Sequence, residues 1–180
     1  MQKRAFVIFL MLLPLGGSAE PNVDNERLTE IYEQDQADRR ARPIDWSVVG
    51  PRDKARRMEV LELLRSGDAR TANDFYHAAM IMQHGDSVED YQLANSLARF
   101  SMTLDPSNTR ARWLTAASWD RILMSKEMPQ WYGTQYRQSS PGSPFELWPV
   151  EEAAVSDEER EAMNVPSLQE AKERLLQINK

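Results

Sequence analysis

Apolar residues recur at helical spacing along most of this chain, and short polar clusters mark where each run begins and ends. From Asn25 to Arg42 the chain is polar, yet Leu28, Ile31 and Tyr32 set a stripe that continues, turn by turn, into Asp35 and Arg39. One face of that helix therefore changes from apolar to charged, and Arg42-Pro43 ends it. A loop through Trp46 and Gly50-Pro51 leads into a second helix, Asp53 to Arg65, with Met58, Leu61 and Leu64 inward and Gly67 closing it. This second helix reads as scaffold. Thr71-Ala-Asn-Asp74 starts a third, since a Thr hydroxyl and a carboxylate three positions on satisfy otherwise unpaired amides. Phe75, Ala78, Ala79 and Met82 make its apolar face, and Gly85 stops it. Ser87-Val-Glu-Asp90 repeats the start signal for a fourth helix, which Tyr91, Ala94, Leu97, Ala98, Ser101 and Leu104 carry as far as Asp105-Pro106. A fifth, from about Thr109 to Lys126, follows a loop short enough to require an antiparallel neighbour.

After Lys126 the helical pattern fails over residues 127–150, too long for a plain connection. Pro129 to Gln135 and Phe145 to Trp148 flank the turn-rich Ser139 to Pro144, which predicts a small β-hairpin. Ser156-Asp-Glu-Glu159 and Ser167-Leu-Gln-Glu170 are two more capping starts, giving a short helix and a last one with Leu168, Ala171, Leu175 and Ile178 inward. The fold class is mainly all-α: an antiparallel stack of about six to seven helices with a hairpin inserted after the fifth.

The first nineteen residues stand outside that pattern. Lys3 and Arg4 precede the apolar run Ala5 to Leu15, and Gly17-Ser18-Ala19 supplies small residues for cleavage, so 1–19 reads as a secretory signal peptide and 20–180 as one helical domain. A periplasmic or extracellular location follows, with no membrane insertion once the signal is removed. The chain has no cysteine, so its core alone must hold the fold in an oxidising compartment. A domain of this size buries roughly two-thirds of the surface that the unfolded chain exposes, which suffices. The net charge of −6 becomes more negative when Lys3 and Arg4 leave, and with no basic cluster it argues against nucleic acid and anionic lipid as partners.

Two histidines are the first candidates for chemistry. His77 and His84 lie seven apart, on one face but about 10 Å apart along the axis, too far for one metal. Without cysteine or a His-Glu-x-x-His spacing, neither a metal nor a cofactor is implied. His77 reads as a packing residue beside Ile81. His84, after Gln83 at the helix end, sits where the dipole favours a cation, and is either a cap or a catalytic base. In the fifth helix Trp113, Ala116, Ala117, Asp120 and Met124 share a stripe, which places an acid inward. A buried carboxylate needs a partner, and Arg121, Arg39 and His84 are the candidates.

The run from Leu97 to Trp113, with small Ala94 and Ser101 and the stop at Pro106, resembles a junction between tetratricopeptide repeats. More widely, Asp35-Gln36 with Arg39, Gln83-His84, Asp120-Arg121, Gln130 with Tyr132-Gly-Thr-Gln135, and Pro149 before a Glu-Arg-rich helix resemble, in that order, a bacterial domain family of unknown function. That resemblance implies that Asp35, Arg39, His84, Asp120, Arg121, Tyr132, Thr134 and Gln135 belong together. They are expected to converge beneath a Tyr132 to Gln135 strand, in a polar pocket for a small polar or anionic ligand. Asp35, Arg39, Gln83, Arg121, Tyr132, Thr134 and Gln135 would bind it, with His84 and Asp120 as the candidate catalytic pair for hydrolysis or transfer. The alternative is a non-catalytic helical module that grips an envelope protein through exposed aromatics such as Trp131 or Trp148.

Overall fold

The computed structural model describes residues 23–41, 43–140 and 142–180; the predicted signal peptide and its cleavage site lie outside them. Seven helices are present among the described residues: α1 (Glu26–Arg40), α2 (Trp46–Ser66), α3 (Ala72–Gln83), α4 (Val88–Leu104), α5 (Thr109–Ser125), α6 (Asp157–Ala162) and α7 (Leu168–Ile178). Between α5 and α6 runs a hairpin of β1 (Tyr136–Gln138) and β2 (Phe145–Leu147), paired antiparallel with Tyr136 opposite Leu147 and Gln138 opposite Phe145. The mainly helical architecture with a hairpin after the fifth helix is the one the pattern predicts.

The starts at Thr71, Ser156 and Ser167 each form a complete capping box, the hydroxyl taking the third amide while the third side chain returns to the cap amide. Ser87 caps α4 with its hydroxyl alone. In the middle of the stack α4 packs on α3 and α5. Small residues allow the approach: Ala78, Ala79, Ala94, Ala98, Ala111, Ala116 and Ala117 are all fully buried. Ser101 near the end of α4 donates to the Ala72 carbonyl at the start of α3 (2.6 Å), which fixes the two helices antiparallel. Leu28, Ile31, Val60, Tyr76, Ile81, Met82 and Leu114 complete the core.

Four expectations need correction. The second helix begins at Trp46, not Asp53, and runs straight through Pro51. Asp45 caps it by accepting from the Ser47 amide, and the bond Pro51 forfeits to the Ser47 carbonyl falls on an exposed side of the helix, where the loss is cheapest. Its inward face is also different: Met58 is 62% exposed, while Val49, Asp53, Arg56, Arg57 and Val60 are buried. Ile178, taken as inward, is exposed at the last residue of α7. Finally, Tyr132 to Gln135 is not a strand; the ladder starts one residue later, and the preceding segment is held by side chains instead.

Candidate functional site

The charged end of α1 meets the charged face of α2. Arg39 donates to Asp35 on its own helix (2.7 Å) and to Asp53 on α2 (2.7 Å), while Arg56 bridges Asp53 (3.1 Å) and Asp38 (2.6 Å). The Arg56 bond holds the Asp38 carboxyl below its ordinary value, with the charges of Arg56 and Arg52 adding to the effect against the cost of burial. Asp35 is fully buried and carries a third element: His84, the residue that ends α3, places Nδ1 3.0 Å from both carboxylate oxygens. Since an ionised carboxylate only accepts, Nδ1 is the donor here. Three predicted site residues, Asp35, Arg39 and His84, are thus in direct contact.

The end of α3 explains two more arginines. Helix C-termini leave carbonyls unpaired and carry partial negative charge. Arg57 of α2 donates to the His84 carbonyl (3.2 Å), and Arg121 of α5 donates to the Gln83 carbonyl (3.0 Å). Arg121 also donates through Nε to Gln135 (3.1 Å) and lies over the Tyr91 ring at 5.6 Å. Gln135 in turn reaches the Ala117 carbonyl (3.0 Å) and the Thr134 hydroxyl (2.9 Å). Gln83 is buried, with its Oε1 unpartnered. Unlike Arg39 and Arg56, Arg121 has no carboxylate within 4.0 Å among the described residues. Burial lowers its pKa from the ordinary value; Tyr91 opposes this, and the more weakly felt Arg39 charge adds to it. Arg121, Tyr91, Met124, Ser125, Gln135 and Tyr136 line a cavity of about 230 Å³.

Asp120 faces elsewhere. None of its expected partners, Arg121, Arg39 or His84, touches its carboxylate. Instead it accepts the amides of Trp131 (2.8 Å), Tyr132 (3.0 Å) and Thr134 (3.0 Å) together with the Thr134 hydroxyl (2.8 Å). A helix turns about 100° per residue, so Arg121 and Asp120 necessarily point in different directions. Burial raises the Asp120 pKa, and those four bonds pull it partly back. On the other side of the same loop the buried Arg160 donates to the carbonyls of Trp131 (2.8 Å) and Tyr132 (3.3 Å). Gln130, fully buried, closes the loop by exchanging bonds with Gln135 (2.8 and 3.0 Å) and by reaching the Trp148 carbonyl. A carboxylate holds the amides of 131, 132 and 134, a guanidinium the carbonyls of 131 and 132, and Gln130 the amide of 135. Gly133 takes φ 83° within it, and an added Cβ there would meet Leu168 at 3.0 Å.

The predicted set therefore divides. Asp35, Arg39 and His84 form one cluster; Gln83, Arg121 and Gln135 form a second, joined to the first through the end of α3. Asp120, Tyr132 and Thr134 form a clamp that is structural and does not share a cavity with His84. Asp53, Arg56, Arg57 and Arg160 are the participants that sequence reading missed, while Gln130 was quoted in the motif set but given no role. The spacing Asp53, Arg56, Arg57, Val60 is itself a helical face, and recognising it required accepting that inward positions can be ionic. Among the described residues no group of three or more His, Asp or Glu side chains is placed to hold a metal ion, and no helix is long and apolar enough to cross a membrane. A hollow of about 470 Å³ between α1 and α2 is walled by charges that already satisfy one another, Arg27 with Glu59 and Arg52 and Arg56 with Asp38. Comparison with protein-family models, with curated proteins and with solved structures returned no match to this chain.

Proposed function

We propose that this chain is an exported binding protein for a small ligand bearing a carboxylate or phosphate, with Arg121 as the recognition group. The observation that carries this reading is a half-buried guanidinium that lines a cavity and has no carboxylate partner among the described residues. Removing a cation from water costs several kcal/mol, roughly, after relaxation. Two neutral acceptors, the negative end of α3 and the Tyr91 ring offset part of this, yet the Arg121 pKa still lies below its ordinary value. An oxyanion supplies what is missing, and a guanidinium fork matches its geometry. Cavities for drug-sized ligands run to roughly 300–1,000 Å³, so the space here, about 230 Å³, suits a ligand of a few carbons. The leader-like pattern of Lys3-Arg4, Ala5 to Leu15 and Gly17-Ser18-Ala19 supports export.

His84 acts in this reading as a positioning residue rather than a catalyst. It is not among the residues lining the cavity, and its Nδ1 is committed to Asp35. Through that contact it fixes the end of α3 whose Gln83 carbonyl Arg121 grips. Thermal melts with inorganic phosphate, acetate, succinate and glutamate test the proposal. A ligand at tenfold its Kd stabilises by about 1.4 kcal/mol, a rise of roughly 3–6 °C for a domain of this size. At least one of the four anions is expected to raise the melting temperature saturably; Arg121→Gln abolishes the rise, and His84→Ala weakens it. A wild-type protein indifferent to all four, or an Arg121→Gln protein that responds equally, overturns the proposal.

A further inference from the structure

On the opposite face of α5 from Arg121 lies a second open feature that the anion site does not use. Two adjoining cavities, about 310 and 420 Å³, share Asn95, Trp119 and Trp131 and together form one groove along the α4–α5 seam. Tyr132 and Trp131 come from the loop that Asp120 and Arg160 hold rigid, so the aromatic wall is preformed. Trp119 and Trp131 meet edge to face with centroids 5.1 Å apart. Asn95 gives its amide hydrogens to the Thr115 carbonyl (2.8 Å) and the Ser118 hydroxyl (3.0 Å), while its Oδ1 accepts nothing from the described residues.

The charges of this groove identify its occupant. Arg99 lines one end and Lys126 the other, both exposed, and neither forms an ion pair with a described residue. No Asp or Glu lines either cavity, in a chain whose net charge is −6. At 1.5 Å per residue, the helix lengths Gln92 to Arg99 and Thr115 to Lys126 put the two cations roughly 10–16 Å apart. Extended chain covers that distance in about three to five residues.

We infer that this groove binds an extended peptide segment with an acidic residue at each end and apolar or proline residues between. The acidic side chains pair with Arg99 and Lys126, the middle lies against Trp131 and Tyr132, and Asn95 Oδ1 accepts a peptide N–H. Aromatic surface supplies most of the affinity, while the two exposed cations set which sequence is taken and at which ionic strength. The site is independent of the anion pocket, because no residue lines both.

The test uses acetyl-Glu-Pro-Leu-Pro-Glu-amide and its Gln-for-Glu counterpart, titrated into the mature protein with tryptophan fluorescence as readout. The acidic peptide is expected to bind saturably and at least tenfold more tightly than the Gln peptide, with the difference shrinking as salt is raised. Arg99→Glu with Lys126→Glu is expected to remove that preference and to favour the matching Lys peptide. Both positions are exposed and unpaired, so the double variant keeps the fold, checked by its circular dichroism and melt. Arg121→Gln is expected to bind the acidic peptide as wild type does, which separates this site from the anion pocket. Equal binding of the acidic and Gln peptides, no saturable binding of either, or an unchanged preference in the double variant overturns the inference. Preferential binding of a neutral oligosaccharide such as maltohexaose does so as well.

Discussion

Asp120 and His77 illustrate two different fates of a buried polar side chain. Asp120 is an inward acid that the helical pattern alone located, yet its partners are backbone amides eleven to fourteen residues ahead, which no pattern of side chains encodes. Each of those donors is left unsatisfied when the carboxylate goes, at about 1–3 kcal/mol for a buried donor. Asp120→Ala is therefore expected to cost about 3 kcal/mol or more in urea unfolding and to shift Trp131 emission, whereas a change confined to Trp131 emission with unaltered stability would refute the clamp. His77 behaves as the packing residue read from its position: it is buried, stacked on Tyr32 at 4.3 Å, with Nδ1 unpartnered. Burial holds its pKa below the ordinary 6.5, with the Arg110 charge adding to that. The unfolded chain takes up a proton that the folded one refuses, so the stability tied to His77 is complete above about pH 6.5 and is lost as pH falls toward the folded value. His77→Phe is expected to flatten the melting temperature across that acid limb; an unchanged limb would place its origin elsewhere.

At the scale of elements, the caps were legible and the ionic interface was not. Thr71, Ser87, Ser156 and Ser167 signal helix starts through local chemistry that depends on a few consecutive residues, and each is a cap in the fold. The start of α2 was missed because Gly50-Pro51 is a turn signal in most settings and is overridden here by Asp45 and by an exposed flank. The inward face of α2 was missed because apolarity was taken as the mark of burial, while Asp53 and Arg56 are buried by pairing with Arg39 and Asp38 of α1, and Arg57 by pairing with Asp90 of α4 and the His84 carbonyl. Arg39 is the rivet of that interface, since it touches both Asp35 and Asp53. Its loss leaves two buried carboxylates short of a cation, so Arg39→Met is expected to cost about 3–5 kcal/mol. Arg40→Met, one residue on and exposed, serves as the control and should change stability by less than about 0.5 kcal/mol. Equal effects of the two in denaturant titrations would show that α1 and α2 are held by something other than this network.

Across the whole molecule, α5 divides two kinds of surface. Trp119 and Arg121 are two residues apart and so emerge on opposite sides of the helix, with the Asp120 clamp between them. The 130–135 loop passes over that clamp and offers Trp131 and Tyr132 to one side and Gln135 to the other. Which motif residues gather at the end of α3 depended on helix lengths and crossings that a linear order of motifs does not contain, and that order alone had placed Asp120 beside His84. Export belongs to this scale too: the proposed leader is expected to be cleaved to give a chain beginning at Glu20, which intact mass of the protein recovered from the periplasm or medium would verify, an uncleaved mass refuting it. The most direct measurement of the central claim is the arginine Nε–Hε proton–nitrogen NMR signal of Arg121, assigned through its loss in Arg121→Gln, during titration with phosphate and the three carboxylates. The account expects this signal to move saturably with at least one of the four anions while that of Arg160, held by backbone carbonyls, stays in place. An Arg121 signal that remains fixed throughout, or that moves only in step with every other arginine as ionic strength rises, would contradict it.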